Sequence, residues 1–239
     1  MVVPAEEGLL TTSGVRVLIA TAVPAERDAV AQAFPAGAGD VDVIAVGVGP
    51  AASAASTATA LTTAALRGTP YGLVVSAGIA GGFQPEAPVG SLVVADEITV
   101  ADLGAETPDG FVPVTGLGFG TVTHRPPESL VRDLTTVTGA RAGTVLTVST
   151  VTGSAERAAE LRARHPGALA EAMEGFGVAE AAAAHGVPVL EIRAVSNPVG
   201  PRDRTAWRIG EALKALTDAF GKLAPVLESW NPHEHPDEP

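Results

Sequence analysis

Short apolar runs, each followed by a helix-length stretch of small residues, restrict what this 239-residue chain can fold into more than any other feature. Residues 15–20, 41–48, 73–76, 89–100, 144–149 and 187–196 read as strands, because each is a bounded run of β-branched and aliphatic side chains. Between them lie helical stretches: one opened by Pro24, where the missing N–H costs nothing, one over 50–67, and others over 127–137, 154–164, 174–186 and 203–223. Strand–helix alternation of this kind predicts an α/β protein. The expected form is a single-domain three-layer sandwich, with a mixed, mostly parallel central sheet flanked by helices. Residues 1–14 lack periodicity and are expected to be a flexible arm, 15–224 the domain, and 225–239 a disordered tail. Residues 102–123, rich in Gly, Pro, Thr and Asp, read as a long loop or a small hairpin.

Charge and composition exclude several roles. A net charge of −12 opposes nucleic-acid binding, which depends on basic groups displacing counterions from phosphate, and it opposes anionic lipid as well. The chain has no cysteine, so neither disulfides nor thiolate chemistry is available. No apolar stretch reaches the ~18 residues of a membrane span, and the first residues lack a signal-peptide pattern. The expectation is a soluble cytoplasmic protein. The five histidines are scattered without metal-ligand spacing, so no metal is expected. Ser149 and Ser154 lack the context of a nucleophile elbow.

Ligands of α/β proteins bind outside the carboxyl ends of strands, and two polar groups arrive at such places. Ser196 and Asn197 end the apolar run 187–196, and Glu174 follows a shorter apolar approach at the start of an alanine-rich helix. Asn before Pro198 is also a common turn opener. Its amide nonetheless offers a donor and an acceptor together. That pair matches O6 and N7 of a 6-oxopurine such as hypoxanthine, whereas an aspartate would suit the 6-amino group of adenine. Glu174 can serve the helix dipole or accept hydrogen bonds from vicinal ribose hydroxyls. Glu26, after the first strand, can be a helix-start carboxylate or a general base acting on water, and Arg27 beside it reads as exposed. The segment 76–82, with Gly78 and Ile79, is either a tight turn or a place for close backbone approach to a ligand. It lacks the spacing of a dinucleotide fingerprint.

Taken in order, residues 22–26, 76–82, Met173-Glu174-Gly175 and 193–197 resemble the purine nucleoside phosphorylase/nucleosidase superfamily, over roughly residues 15–222. Residues 196–207 carry a narrower resemblance, to a hydrolytic branch whose substrate is a hypoxanthine nucleoside bearing an acyl-aryl carboxylate. The resemblance implies that Glu26 activates water and that Glu174 holds the ribose hydroxyls, with Met173 against the sugar. It implies that Asn197, oriented by Ser196, binds the departing base, and that Gly78, Ile79, Val151 and Thr152 line the substrate. Arg202, Arg204 and Trp207 are candidates for the aryl carboxylate, or else a helix-start ion cluster and a core tryptophan. The implied partner is a small-molecule purine nucleoside, with no cofactor, and the implied assembly is a homodimer or larger. Related methylthioadenosine nucleosidases carry aspartate at the position of Asn197 and an aromatic near 151. This chain departs at both places, which argues against adenine as leaving group. The alternatives are such a nucleosidase, a phosphorylase, which needs a basic anion cradle where Glu26 stands, and a nucleoside-binding protein without turnover.

Overall fold

The computed structural model describes residues 15–34 and 40–230. In chain order the elements are β1 (Val17–Thr21), α1 (Pro24–Ala31), β2 (Val41–Ala45), α2 (Pro50–Leu66), β3 (Leu73–Gly82) and β4 (Leu92–Val100). A hairpin of β5 (Gly104–Thr107) and β6 (Gly110–Pro113) follows, then β7 (Thr123–His124), α3 (Glu128–Thr138), β8 (Arg141–Thr147) and α4 (Ala155–Arg164). The last elements are β9 (Ala168–Ala172), α5 (Gly175–Ala184), β10 (Val189–Pro198), a single 3-10 turn at Arg204–Ala206, and α6 (Ile209–Ser229).

The sheet is mixed and mostly parallel, as expected. β1 pairs in parallel with β2 and β3, β3 with β10, and β8 with β4 and β9, while β10–β4, β3–β9 and β4–β7 are antiparallel. Its closure is not apparent from the strand pattern. The first half of β3 borders β1, and its last two residues border β9 instead. The run β3–β10–β4–β8–β9 therefore returns to β3 as a ring, with β1 and β2 continuing from its side. The carboxyl ends of β3 and β10 meet Ala170 and Glu171 of β9 at one place on this ring.

Helices cover the sheet on both sides. Leu61 of α2 and Phe176, Val178, Ala179 and Ala182 of α5 pack on one face. Val30 of α1, Leu130, Val131 and Leu134 of α3, and Ala212, Leu216, Phe220, Leu223 and Leu227 of α6 pack on the other. The helical spacing of that α6 stripe continues beyond the sequence-based boundary at 224. The expected tail is therefore corrected over 225–230: α6 runs through Pro225 to Ser229, and Leu227 and Trp230 are buried. An interior proline removes one helical hydrogen bond, and burial of Leu227 and Trp230 offsets that loss. The arm 1–14 and the tail from 231 lie outside the described residues. Among the described residues no helix is long and apolar enough to cross a membrane.

Candidate active site

Up to Val195, β10 is apolar except at Glu191 and Arg193, which alternate on one face and are both fully buried. Arg193 is the hub of a polar cluster. Its Nε donates to Glu191 Oε1 at 2.8 Å, its Nη2 to Ser76 Oγ of β3 at 3.1 Å, and its Nη1 lies 3.4 Å from Glu174 Oε2. Burial pushes the Glu191 carboxyl above its ordinary range, against the pull of Arg193. Burial alone would lower Arg193, but Glu191, Glu174 and Glu26 together hold it above the usual arginine value. The cation is therefore permanent, and its side chain is fixed from three directions.

Glu174 stands immediately before α5 and is buried. Its Oε1 accepts from the backbone N–H of Gly49 at 3.2 Å, and its carbonyl accepts from Ser53 Oγ at 3.1 Å. Gly49 holds φ at +89°, a left-handed conformation that favours glycine and that aims its N–H at the carboxylate. Met173, half-buried, separates Glu174 from the end of β9.

Glu26 is buried in the first turn of α1. Its Oε2 accepts from the N–H groups of Ala22 and Val23 at 2.9 and 3.3 Å, and its Oε1 accepts from Ile79 N at 2.9 Å. Helix start and sheet thus share one carboxylate. Gly78 is required here: a Cβ would fall 2.6 Å from Arg193 Nη1 and 2.7 Å from Glu26 Oε1. A carboxylate and a guanidinium thus close over Gly78 together. Arg27 points outward to Asp28 at 2.7 Å.

Three residues along β3 from Gly78, about 10 Å at the usual strand rise, Gly81 is paired with Asn197. A bulge between Val195 and Asn197 adds a residue to β10 and re-aims its end. Ser196 Oγ donates to Asn197 Oδ1 at 2.9 Å, with the Ala80 carbonyl at 3.3 Å as its other acceptor, and Asn197 Nδ2 donates to Pro198 O at 3.0 Å. Asn197 lines a cleft with Gly81, Val151, Thr152, Glu171, Arg202 and Trp207. Val151 is exposed at its mouth. Trp207 is half-buried at the rim rather than in the core, with the Arg202 and Arg204 guanidiniums 5.4 and 5.7 Å from its ring centre. Those distances suit cation–π contact.

The structure thus gathers the sequence candidates into two neighbouring groups. Glu26, Gly78, Ile79 and Glu174 surround Arg193, while Ser196, Asn197, Val151, Thr152, Arg202 and Trp207 form the cleft. Sequence reasoning assigned nothing to Arg193, Ser76 or Glu171. Arg193 and Glu191 carried a signal, two charges at alternate positions inside an apolar run. Glu171 carried none, because its place depends on the ring closure that sets β9 beside β3.

The comparisons with known proteins agree with this architecture. Residues 23–228 match the family model of the phosphorylase superfamily, the class that this fold and its glutamate–arginine site define. The chain is 74% identical over 231 residues to a futalosine hydrolase of Streptomyces coelicolor, covering 91% of this chain and 98% of that one. It is 49% identical over 158 residues to a futalosine hydrolase of Acidothermus cellulolyticus, covering 64% of each chain. A solved S-adenosylhomocysteine nucleosidase from Streptococcus pyogenes, in complex with 5-methylthiotubericidin, shares the fold at 18% identity and a TM-score of 0.76, over 91% of this chain and 99% of that one. The chain belongs to the futalosine hydrolase family of the phosphorylase superfamily.

Proposed function

We infer that this protein hydrolyses the N-glycosidic bond of futalosine, releasing hypoxanthine and dehypoxanthine futalosine. The observation that carries the reading is the Ser196-oriented amide of Asn197, one nucleoside's length from the Glu26–Arg193–Glu174 centre. The sequence identity to a futalosine hydrolase supports it.

In this reading the bond from the sugar to the purine loosens first, leaving an oxocarbenium-like ribose. Glu174 spends one hydrogen bond per oxygen on the protein, so each oxygen retains a lone pair for a ribose hydroxyl. Met173 packs against the sugar. The attacking water is taken to be held by Glu26 Oε1, on the side of the carboxylate that Arg193 Nη1 neighbours. Its oxygen bonds the anomeric carbon, and its proton passes to Glu26. The electron pair of the broken bond moves into the purine, where Asn197 donates to O6; N7 takes a proton from solvent, Glu26 returns its own to solvent, and Asn197 accepts from the resulting N7–H. This is stabilisation of developing charge by a preorganised group. Ile79, Val151 and Thr152 flank the base, and Arg202 with Trp207 takes the aryl carboxylate.

Phosphorolysis is the weaker reading, because the nucleophile's place is faced by the Glu26 carboxylate, which repels phosphate. The test is release of free base from futalosine, inosine and methylthioadenosine, each with and without phosphate. Hypoxanthine from futalosine, independent of phosphate, is the expected result. Release only with phosphate, or release of adenine from methylthioadenosine at a comparable rate, overturns it. We also propose a cytoplasmic homodimer or larger assembly; exposed Leu103, Leu117 and Phe119 support the assembly, and light scattering of purified protein checks it.

A further inference from the structure

Glu191 is a fully buried carboxylate at the centre of the site, and the steps above give it no part. It stands directly across from Ser76 of β3, and Arg193 stands across from Gly78. Glu191 and Ser76 both reach the guanidinium: Glu191 Oε1 accepts from Nε at 2.8 Å, and Ser76 Oγ accepts from Nη2 at 3.1 Å. The second carboxylate oxygen, Glu191 Oε2, meets no hydrogen-bond partner among the described residues. Gly175, which begins α5 directly after Glu174, makes room for it, since a Cβ there would fall 2.1 Å from Glu191 Oε2. Glu191 thus lies against the backbone that carries Glu174. Stability does not account for the group, because replacing a buried ion pair by apolar residues is often neutral or stabilising.

The contacts of Arg193 are uneven. Nε and Nη2 make the shorter ones, to Glu191 and Ser76, and Nη1 is left 3.4 Å from Glu174 Oε2. The strongest guanidinium–carboxylate pairs are bidentate, with two N–H groups on two oxygens. With Nε and Nη2 engaged elsewhere, Arg193 offers Nη1 alone to Glu174. Glu174 therefore keeps the lone pairs that the ribose hydroxyls need. Without Glu191 the buried guanidinium would have a free Nε and less charge compensation, and Glu174 is a carboxylate it already meets. Turning onto Glu174 in a two-point pair would consume those lone pairs.

We propose that Glu191 is a positioning residue: by engaging Arg193 at Nε it holds the guanidinium off Glu174, and so keeps Glu174 open to the ribose hydroxyls. The proposal rests on the reading that Glu174 binds the ribose. It adds to that reading the residue that keeps the acceptor free.

The test compares wild type with Glu191→Gln and Glu191→Met on futalosine and on its counterpart lacking the 3′-hydroxyl. Wild type should lose at least about 100-fold in kcat/KM on the 3′-deoxy compound, because a buried acceptor is left unpaired. In Glu191→Met, which offers Arg193 no oxygen, that preference should fall at least about 10-fold. In Glu191→Gln, which keeps an oxygen for Nε without the charge, it should fall by a smaller factor. A merely structural lesion lowers both substrates alike, so an unchanged preference in a folded variant overturns the proposal, as does wild type that does not distinguish the two compounds. Circular dichroism and melting temperature establish folding, and the nearly isosteric Glu191→Gln carries the test should Glu191→Met not fold. A crystal structure of Glu191→Met should show Arg193 closed on Glu174 at two points, and an unmoved guanidinium overturns the proposal. Should wild type release no base from futalosine, hydrolysis fails as a reading, and calorimetric binding decides the role of Glu191: futalosine must bind wild type more tightly than its 3′-deoxy counterpart, and lose that advantage in the variants.

Discussion

The two halves of the site are built on different terms. Around Arg193 the interior holds Glu191, Glu174 and Glu26, each anchored by backbone N–H groups or by the guanidinium. Around Asn197 the groups are fewer, nearer solvent, and supplied by the end of β10 and by the segments 151–152 and 198–207. The first region shares its side chains with the folding core, so it varies little without loss of the fold. The second has hydrogen-bond capacity to spare. Bond-breaking chemistry suits the rigid region, since preorganised charge needs no rearrangement during reaction. Choice of base and of side group suits the adaptable one.

The sharpest way to break that contrast is Arg193→Met. It strands two buried carboxylates, Glu191 and Glu174, without their cation, and removing one partner of a buried ionic group costs about 3–5 kcal/mol. Thermal unfolding should show a large drop in melting temperature together with loss of turnover. A variant as stable as wild type contradicts the account of Arg193 as a hub. Glu26→Gln tests chemistry with less damage to the fold than Arg193→Met, because a glutamine oxygen still accepts from Ile79 N or from Ala22 N and Val23 N, though not from both sides. Turnover should fall by about 10²–10⁴, the usual range for a general base, with substrate binding retained. Loss of binding instead would make Glu26 a structural anchor.

Asn197→Asp probes the adaptable half. An ionised aspartate faces O6 with an acceptor, so kcat/KM for the hypoxanthine nucleoside should fall by about 10–100-fold, on the scale of one mispaired polar contact of 1–3 kcal/mol. Melting should barely change, because Asn197 is only part-buried. If Asn197→Asp melts as far below wild type as Arg193→Met does, the distinction between the halves is lost.

The carboxylates of the rigid half were legible in the amino-acid sequence, but its hub Arg193 was not. Glu26 and Glu174 follow apolar runs, whereas the reason for Gly78, a side chain there striking both a carboxylate and a guanidinium, came only with the structure. The mixed sheet followed from the alternation of strand and helix. What was not legible depended on contacts distant in sequence. Glu171 shares a cleft with Asn197 only because β3 borders β1 over its first half and β9 at Gly81, and no local pattern reports that exchange. The length of α6 was misjudged for a related reason: Pro225 is a local stop signal, overridden by burial of Leu227 and Trp230.

The smallest expected effect is the most telling about Glu171. Burial raises its carboxyl above the ordinary value, and the Asp102 charge adds to this; the hydrogen bonds from Thr152 and the Arg157 charge oppose it without cancelling it. A raised value means that the folded protein binds this proton more tightly than the unfolded chain does. The burden of the ionised group is therefore full only well above the raised folded value. It is relieved as pH falls through the raised folded value toward the ordinary 4.5 of the unfolded chain. Glu171→Gln removes the burden and keeps an acceptor for Thr152 N–H, while Thr152 Oγ1 can reverse to accept from the new amide. The variant should melt slightly higher than wild type at pH 8, by about 2–4 °C, the shift that ~1 kcal/mol gives for a chain of this size. The gap should close as pH approaches 4.5. Burial of a carboxyl group in a cleft is a cost to stability of the kind that functional sites carry. If Glu171→Gln melts lower than wild type at pH 8, Glu171 serves chiefly to hold the segment around Thr152, and the adaptable half of the site is more rigid than its hydrogen bonds suggest.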